Sequence, residues 1–99
     1  MRLPKLEIKK SGRITRRNGK KENFAVEKYV TLRQSNYRKK SFVLEEISFS
    51  DRNEIRIGYY IIGKKGRMKG KWVWGQFCPL LPKQDLRKLI RKARQVGII

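Results

Sequence analysis

The sequence predicts an α+β domain, in which a curved four-stranded antiparallel sheet is followed by one C-terminal amphipathic helix. Runs rich in β-branched and aromatic residues follow one another between residues 24 and 78. The links between them are too short for the crossovers that parallel strands require, so the strands should form a meander. The apolar spacing then changes from a strand period to a helical period after Pro82. With 99 residues, the chain has the size of a single domain.

The predicted strands are separated by segments of turn composition. They are residues 24–33, 41–49, 54–62 and 71–78. In the first of them Phe24, Val26, Val30 and Leu32 recur at period 2 and are expected to share one face. The last one is preceded by a Gly-rich basic segment, residues 63–70.

Residues 1–23 form a basic N-terminal segment ahead of the single domain expected at residues 24–99. Leu6 and Ile8 alternate weakly in it, and Asn18-Gly19 is a strong signal for a hairpin turn. Two interpretations stay open for this segment, an additional N-terminal strand and a basic arm.

The helix is expected to begin at Pro82, because proline suits the first helical turn. Asp85 lies in that first turn, where a carboxylate complements the helix dipole, and Gly97 is predicted to end the helix. The apolar stripe that should pack on the sheet, or on a partner helix, consists of Leu86, Leu89, Ile90, Ala93 and Val96.

The net charge is the strongest indication of a partner. Lys and Arg number 27 and Asp and Glu number 8, which gives +19. Solubility calls for a net charge of only about 2–8, and a larger one opposes folding unless a polyanion screens it. Nucleic acid fits, since binding to phosphates releases condensed counterions. The charge is also uneven: residues 24–62 hold seven basic and five acidic groups, whereas residues 63–78 hold five basic groups and no acid.

Residues 59–74 combine that basic run with aromatic residues. Cations track phosphates, and aromatic rings stack on the bases of single strands for about 1–3 kcal/mol per base. Trp72 and Trp74 point to the same side of their strand, so they face outward if Val73 and Phe77 enter the core. The alternative is that the tryptophans are themselves core residues.

Strand alternation extends this outer face to the neighbouring strands. The expected outward residues are Tyr29, Thr31, Arg33, Arg56 and Tyr60, and the expected inward ones are Ile55, Ile57, Tyr59 and Ile61. The turn after the first strand also carries residue types that contact phosphates, although a solvated polar hairpin explains it too. The basic face of the helix is better explained as solvated. The predicted nucleic-acid contacts are Arg33, Tyr37, Arg38, Lys39, Lys40, Arg56, Tyr60, Lys64, Lys65, Arg67, Lys69, Lys71, Trp72 and Trp74.

Several classes of chemistry find little support. There is no histidine, and the one cysteine, Cys78, permits neither an intramolecular disulfide nor a cysteine metal cluster. A carboxylate nuclease site would draw on Glu45, Glu46, Asp51 and Glu54, but adjacent Glu45 and Glu46 point to opposite faces of a strand. We therefore expect a non-enzymatic protein with no metal and no cofactor. Without an apolar run typical of a signal peptide or a membrane helix, we expect a cytoplasmic, nucleoid-associated or equivalent intracellular location.

Residues 29–35 (YVTLRQS) and 37–43 (YRKKSFV) have the pattern of a strand, an aromatic and basic turn, and a second strand. Over about residues 24–96 the chain resembles the positive-coactivator-four family of single-stranded-DNA-binding proteins and its Whirly relatives. The resemblance implies a role in transcription regulation, a homodimer formed through helices and strand edges, and DNA laid across the sheet. Arg33, Tyr37, Arg38 and Lys39 would be contacts. The Trp72-Val73-Trp74 strand and the Leu80-Leu81-Pro82 segment depart from that pattern.

A weaker resemblance is to small archaeal chromatin proteins, which pair a basic sheet with a C-terminal helix and bind duplex DNA. The sequence thus predicts a nucleic-acid-binding protein that favours single-stranded DNA. The alternatives are a duplex-DNA-binding chromatin-like protein, an RNA-binding component of a ribonucleoprotein, a nuclease and a protein that binds an acidic protein.

Overall fold

A computed structural model describes residues 3–75 and 78–99. Five antiparallel strands in the order β1-β2-β3-β4-β5 curl into a half-barrel, and one C-terminal α-helix follows them in the described residues. The elements are β1 (Ser11–Thr15), β2 (Lys21–Arg33), β3 (Lys40–Ser48), β4 (Asn53–Ile62), β5 (Trp72–Trp74) and α1 (Lys83–Gln95), with one turn of 3₁₀ helix at Gly66–Met68. The predicted α+β meander is confirmed.

The N-terminal segment contributes a strand. β1 pairs with β2 from Ser11 opposite Ala25 to Thr15 opposite Lys21. The turn between them is closed by the amide of Arg16, which donates to the carbonyl of Lys20 at 2.7 Å. Gly19 adopts a φ of +84°, which glycine tolerates without strain and which explains the Asn-Gly signal. Of the two interpretations, the additional strand is therefore observed for residues 11–15.

A bulge in β2 reverses its alternation. Val26 lies opposite Ile47, but Lys28 lies opposite Glu46, so one extra residue sits between the paired positions. Phe24 and Val26 consequently pack on one side of the sheet, and Val30 and Leu32 pack on the other. The prediction that these four share a face is wrong, because a pattern of period 2 does not reveal an inserted residue.

The main core lies between the sheet and α1, on what we call the helix side. From α1, Leu89 and Ala93 are completely buried, and Ile90 is partly buried against the core. Leu86 and Val96 are 40% and 46% exposed, so the buried stripe is narrower than predicted. The buried members are Val30, Phe42, Leu44, Tyr59, Leu89, Ala93 and Ile98.

The helix does not cover the whole sheet, since it packs on β2 and β3. On β4, Ile55 and Ile57 alternate with Tyr59 and share its side. They are nevertheless 45% and 38% exposed, because the helix does not extend over them. Their predicted orientation is observed, but full burial does not follow from it.

Both ends of α1 are fixed by specific contacts. Asp85 is 1% exposed, and its Oδ2 accepts a hydrogen bond of 3.0 Å from the amide of Ser35. This contact ties the β2–β3 turn to the first turn of the helix. At the other end Gly97 has a φ of +79°, and the amide of Ile98 donates to the carbonyl of Ala93 at 2.9 Å. The predicted end of the helix at Gly97 is confirmed.

A second cluster on the opposite side contains Phe24, Ile47 and Phe49. Arg52 covers Phe49, with its Cζ 4.4 Å from the ring centroid. Arg52 also pairs with Glu22 at 3.3 Å, Asp51 at 2.7 Å and Glu54 at 3.1 Å. Its hydrogen bonds lower the pKa values of Glu54 and Asp51. These ion pairs join the turn end of the β1–β2 hairpin to the turn end of the β3–β4 hairpin.

Strand β5 is shorter than the predicted residues 71–78, ending at Trp74. The predicted inward orientation of Phe77 falls outside the described residues. Among the described residues, no α-helix is long and apolar enough to cross a membrane.

Candidate nucleic-acid interface

The side of the sheet opposite α1 is the inner side of the half-barrel, because residues of both edge strands line one cleft on it. Gly12 of β1 and Trp72 of β5 are both part of that lining. We call this space between β1 and β5 the inner cleft, and its volume is about 510 Å³.

The strand register shows which predicted contacts share this inner side. On one side, Tyr60 of β4 pairs with Trp74 of β5. On the other side, it pairs with a residue of β3, and that residue in turn pairs with Arg33 of β2. Residues paired in this way point to the same side of a sheet. Arg56 and Trp72 occupy alternate positions from Tyr60 and Trp74 along their strands, so they point to that side as well. The expected grouping of Arg33, Arg56, Tyr60, Trp72 and Trp74 on one face is therefore observed.

The two tryptophans are partly exposed and held in place by their surroundings. Trp74 is 39% exposed and meets Tyr60 edge to face, with centroids 5.2 Å apart. Its ring lies against Gly58, where a Cβ atom would overlap the indole. Trp72 is half-buried, and its Nε1 donates to the carbonyl of Pro4 at 2.8 Å. Neither tryptophan is a fully buried core residue.

Arginine side chains cover the rings from within the same face. The Cζ atom of Arg33 is 4.9 Å from the Trp72 centroid. That of Arg56 is 4.5 Å from Trp74 and 4.8 Å from Phe24. Cation–π contacts of this kind contribute roughly 0.5–1 kcal/mol at exposed sites. The face therefore combines aromatic surface with positive charge, as a site for bases and phosphates would.

Tyr60 differs from the prediction in its accessibility. It lies on the expected face but is only 6% exposed, and its hydroxyl accepts a hydrogen bond of 3.3 Å from the amide of Lys9. Burial raises the pKa of this hydroxyl. The N-terminal segment and Trp74 cover the ring, so the expected direct contact of Tyr60 with nucleic acid is not available in this conformation.

The Gly63–Gly70 segment forms an exposed basic loop. The amide of Gly70 donates to the carbonyl of Gly63 at 2.9 Å and closes the loop at its base. Gly66 and Gly70 have φ values of +63° and +78°. The predicted contacts in and beside this loop are all exposed: Lys64, Lys65, Arg67, Lys69 and Lys71.

The β2–β3 turn approaches this loop. Tyr37, Arg38 and Lys39 are exposed, and the carbonyl of Lys39 accepts a hydrogen bond of 3.1 Å from the amide of Ile62. Lys39, Lys64 and Lys69 line a common depression of about 280 Å³. Two basic segments that are distant in sequence therefore meet, and we call this depression with its three lysines the lysine depression.

Lys40 does not belong with the other predicted contacts. Its Nζ lies over the rings of Tyr59 and Phe42 on the helix side, at 4.7 and 5.2 Å, and donates to the carbonyl of Leu80 at 3.2 Å. Alternation along β3 explains this, since Lys40 and Phe42 share a side. We therefore correct the prediction and leave Lys40 out of the candidate interface.

The acidic residues that a nuclease site would need are distributed over separate places. Glu45 is fully buried and bonded to Arg56, whereas Glu46, adjacent to it in β3, points to the other side. Asp51 and Glu54 are paired with Arg52. Within residues 3–75 and 78–99, no group of three or more Cys, Asp or Glu side chains could hold a metal ion.

The sequence missed part of the lining of the inner cleft. Among the lining residues that it did not identify are Glu7, Lys9, Arg13 and Phe24. The Asn-Gly turn indicated that β1 could pair with β2. It gave no indication that the sheet would curl far enough to bring β1 near the tryptophans of β5.

Comparisons of the chain with models of known protein families, with curated proteins and with solved structures found no match.

Proposed function

We propose that this protein is a non-enzymatic binder of single-stranded nucleic acid, with single-stranded DNA favoured. The observation that carries the proposal is the adjacency of the aromatic inner cleft and the lysine depression. Pro4 borders the depression and also accepts the hydrogen bond of Trp72. A strand can therefore place phosphates on the lysines and bases on the tryptophans.

Electrostatic attraction supplies most of the affinity in this proposal. A net charge of +19 with exposed Lys and Arg in the loop and turn favours any polyanion. The tryptophans add selectivity for unpaired bases, because duplex bases are stacked on each other and cannot reach rings inside a concave sheet. Stacking on protein aromatics contributes about 1–3 kcal/mol per base, with little dependence on sequence.

Duplex DNA is the second candidate ligand, and a specific feature of α1 favours it. Lys83, Arg87 and Arg91 are exposed on the helix, away from the inner side. They could contact the phosphates of a duplex without any exposed bases. RNA stays a third candidate ligand, and a cytoplasmic location and a homodimer remain part of the proposal.

A binding titration tests the proposal. Affinities for oligothymidylate, a DNA duplex and a single-stranded RNA of equal length are measured across a salt series. We expect the tightest binding to single-stranded DNA, with log K falling by about 0.7 per phosphate contact for each unit of log salt. Tighter binding to the duplex at every salt concentration would favour the helix face and contradict the proposal.

A further inference from the structure

We propose that the lysine depression is a site for the terminal phosphate of a strand, which is a phosphate monoester, in preference to an internal phosphodiester. The inference rests on the proposed function and deepens it, because it names the chemical group that this part of the interface holds. Strand binding by itself needs only cations along the path of the strand. An end site should also distinguish strands that differ in their last phosphate group alone.

The strand register places Lys39 on the inner side of the sheet. The amide of Ile62 donates to the carbonyl of Lys39 at 3.1 Å, which extends the pairing of Lys40 with Ile61 by one residue. Residues paired across two strands point to the same side, so Lys39 points to the side of Ile62. Ile62 occupies an alternate position from Tyr60 along β4, and that side is therefore the inner side.

Lys64 and Lys69 come from the two arms of the basic loop. The amide of Gly63 donates to the carbonyl of Lys71 at 2.8 Å, so the pairing of β4 with the returning chain continues through Gly63. Alternation then returns Lys64 to the inner side. Lys69 lines the same depression from the returning arm. Three lysines from two distant segments thus surround one space of about 280 Å³.

The charge of these lysines is not compensated within the described residues. The rest of the lining consists of apolar side chains and glycines, without a carboxylate. Glu7 lines the inner cleft together with Lys9 and does not line the depression. The salt bridges of the described residues are made by Arg16, Arg52 and Arg56. The depression therefore offers its full positive charge to an anion.

Three ammonium groups around one space favour a terminal phosphate over an internal one. An internal phosphodiester carries a single negative charge, whereas a phosphate monoester carries about −1.5 to −2 at pH 7. In water, one further unit charge about 4 Å from an ammonium group corresponds to an increase in affinity of about fivefold. Lysine also suits this ligand, because its ammonium group binds phosphate as a point charge and needs no fixed planar geometry.

The place of the depression in the fold suits the end of a strand. It lies where the β2–β3 turn meets the loop between β4 and β5, at the end of the sheet. Pro4 separates it from Trp72, since Pro4 lines the depression and accepts the indole hydrogen bond. A strand with its last base on Trp72 therefore brings its terminal phosphate to the lysines. Gly63 and Gly70 in the lining carry no side chain, so the phosphate can approach the backbone closely.

The test compares strands that differ only in their terminal group. Oligothymidylates of one length with an internal fluorescent label carry a 5′-phosphate, a 5′-methyl phosphate, a 3′-phosphate or a 3′-methyl phosphate. The methyl ester keeps the terminal phosphate but turns it into a diester with a single charge. Fluorescence anisotropy with the full chain measures the four affinities. We expect the monoester to bind about fivefold more tightly than its methyl ester at one of the two ends, which also gives the direction of the strand.

Substitutions in the depression locate the preference. Replacing Lys39, Lys64 and Lys69 together with Ala should bring the affinity ratio of monoester to methyl ester to about one. Lys39→Ala alone should lower this ratio. Lys88→Ala is the matched control, because it removes an equal charge from an exposed position of α1 and should leave the ratio unchanged. All four lysines are exposed, so the variants should fold as the wild type does.

The outcomes separate the two proposals. If monoester and methyl ester bind equally at both ends while oligothymidylate still binds more tightly than a duplex, the end site is wrong and the proposed function stands. An equal fall of the ratio in Lys39→Ala and Lys88→Ala would also overturn the end site. If the monoester is preferred as expected but the duplex binds more tightly than the single strand, the end site stands and the proposed preference for single strands fails.

Discussion

Arg56 donates a hydrogen bond from its Nε to Oε1 of Glu45 at 2.9 Å, across the paired strands β3 and β4. Glu45 is completely buried, and its second oxygen has no hydrogen-bond partner among the described residues. The pair holds the guanidinium over Trp74 and Phe24. A buried carboxylate thus positions the cation that fixes the aromatic walls of the inner cleft.

Removing one partner of this pair should lower the free energy of unfolding more than removing both partners. Arg56→Ala leaves the buried Glu45 carboxylate unpaired, which costs about 1–3 kcal/mol of unfolding free energy or more for a charged group. In a Glu45→Gln background the same substitution should cost less, because no charge is left unpaired. Urea denaturation of the four proteins of this double-mutant cycle measures the coupling. Additive effects would contradict the role of Arg56 as the partner of a buried charge.

Glu45 should also give the protein a specific pH dependence. Burial raises the pKa of Glu45 above 4.5, although Arg56 opposes the shift. The folded state therefore binds the proton of Glu45 more tightly than the unfolded state does. The stability that this proton contributes is fully present below the pKa of Glu45 in the unfolded chain, and it is lost as the pH rises through the pKa of Glu45 in the folded protein. Glu45→Gln removes this titration.

The measurement is the difference in unfolding free energy between wild type and Glu45→Gln from below pH 4.5 to neutrality. Wild type should lose stability relative to the variant as pH rises. The opposite contributions of Asp51 and Glu54, whose pKa values are lowered mainly by hydrogen bonds from Arg52, are common to both proteins and cancel. A difference that stays constant, or that favours wild type at higher pH, would be inconsistent with a raised pKa.

The narrow buried stripe of α1 can be tested with two leucines. Leu89 is 0% exposed and Leu86 is 40% exposed. Leu89→Ala should cost about 2–5 kcal/mol of unfolding free energy, because the variant buries less apolar surface and leaves a cavity. Leu86→Ala should cost far less, since much of its side chain already contacts water. Thermal or urea unfolding compares them, and equal losses would mean that the helix packs in another orientation.

The lysine depression should account for part of the salt dependence of binding. Substituting Lys39, Lys64 and Lys69 with Ala should reduce the slope of log affinity against log salt by about 0.7 for each phosphate that is no longer neutralised. The matched control replaces Lys83, Arg87 and Arg91 with Ala, which removes the same charge from α1. Fluorescence anisotropy with oligothymidylate measures both slopes. If the slope of the helix variant falls by the same amount, the attraction depends on the total charge and the lysine depression has no special role.

The sequence predicted most of the fold because hydrophobic alternation and helical periodicity are local patterns. It failed where the structure depends on features that leave no local pattern. The bulge beside Val26 places Phe24 and Val30 on opposite sides of the sheet, and the N-terminal segment covers Tyr60.

The candidate site divides in the same way. The shared face of Trp72, Trp74 and Arg56 followed from alternation alone. The places of Glu7 and Lys9 could not be predicted, because their approach to β5 depends on the curl of the whole sheet.

The central claim is that the tryptophans of the inner cleft recognise unpaired bases. Its most direct test is the ratio of affinities for oligothymidylate and for a DNA duplex, measured for wild type and for the Trp72→Ala/Trp74→Ala variant at one salt concentration. We expect the variant to lose about 5- to 150-fold in single-strand affinity per stacked base, while duplex affinity changes little. Equal loss on both ligands, or none on the single strand, would contradict the claim.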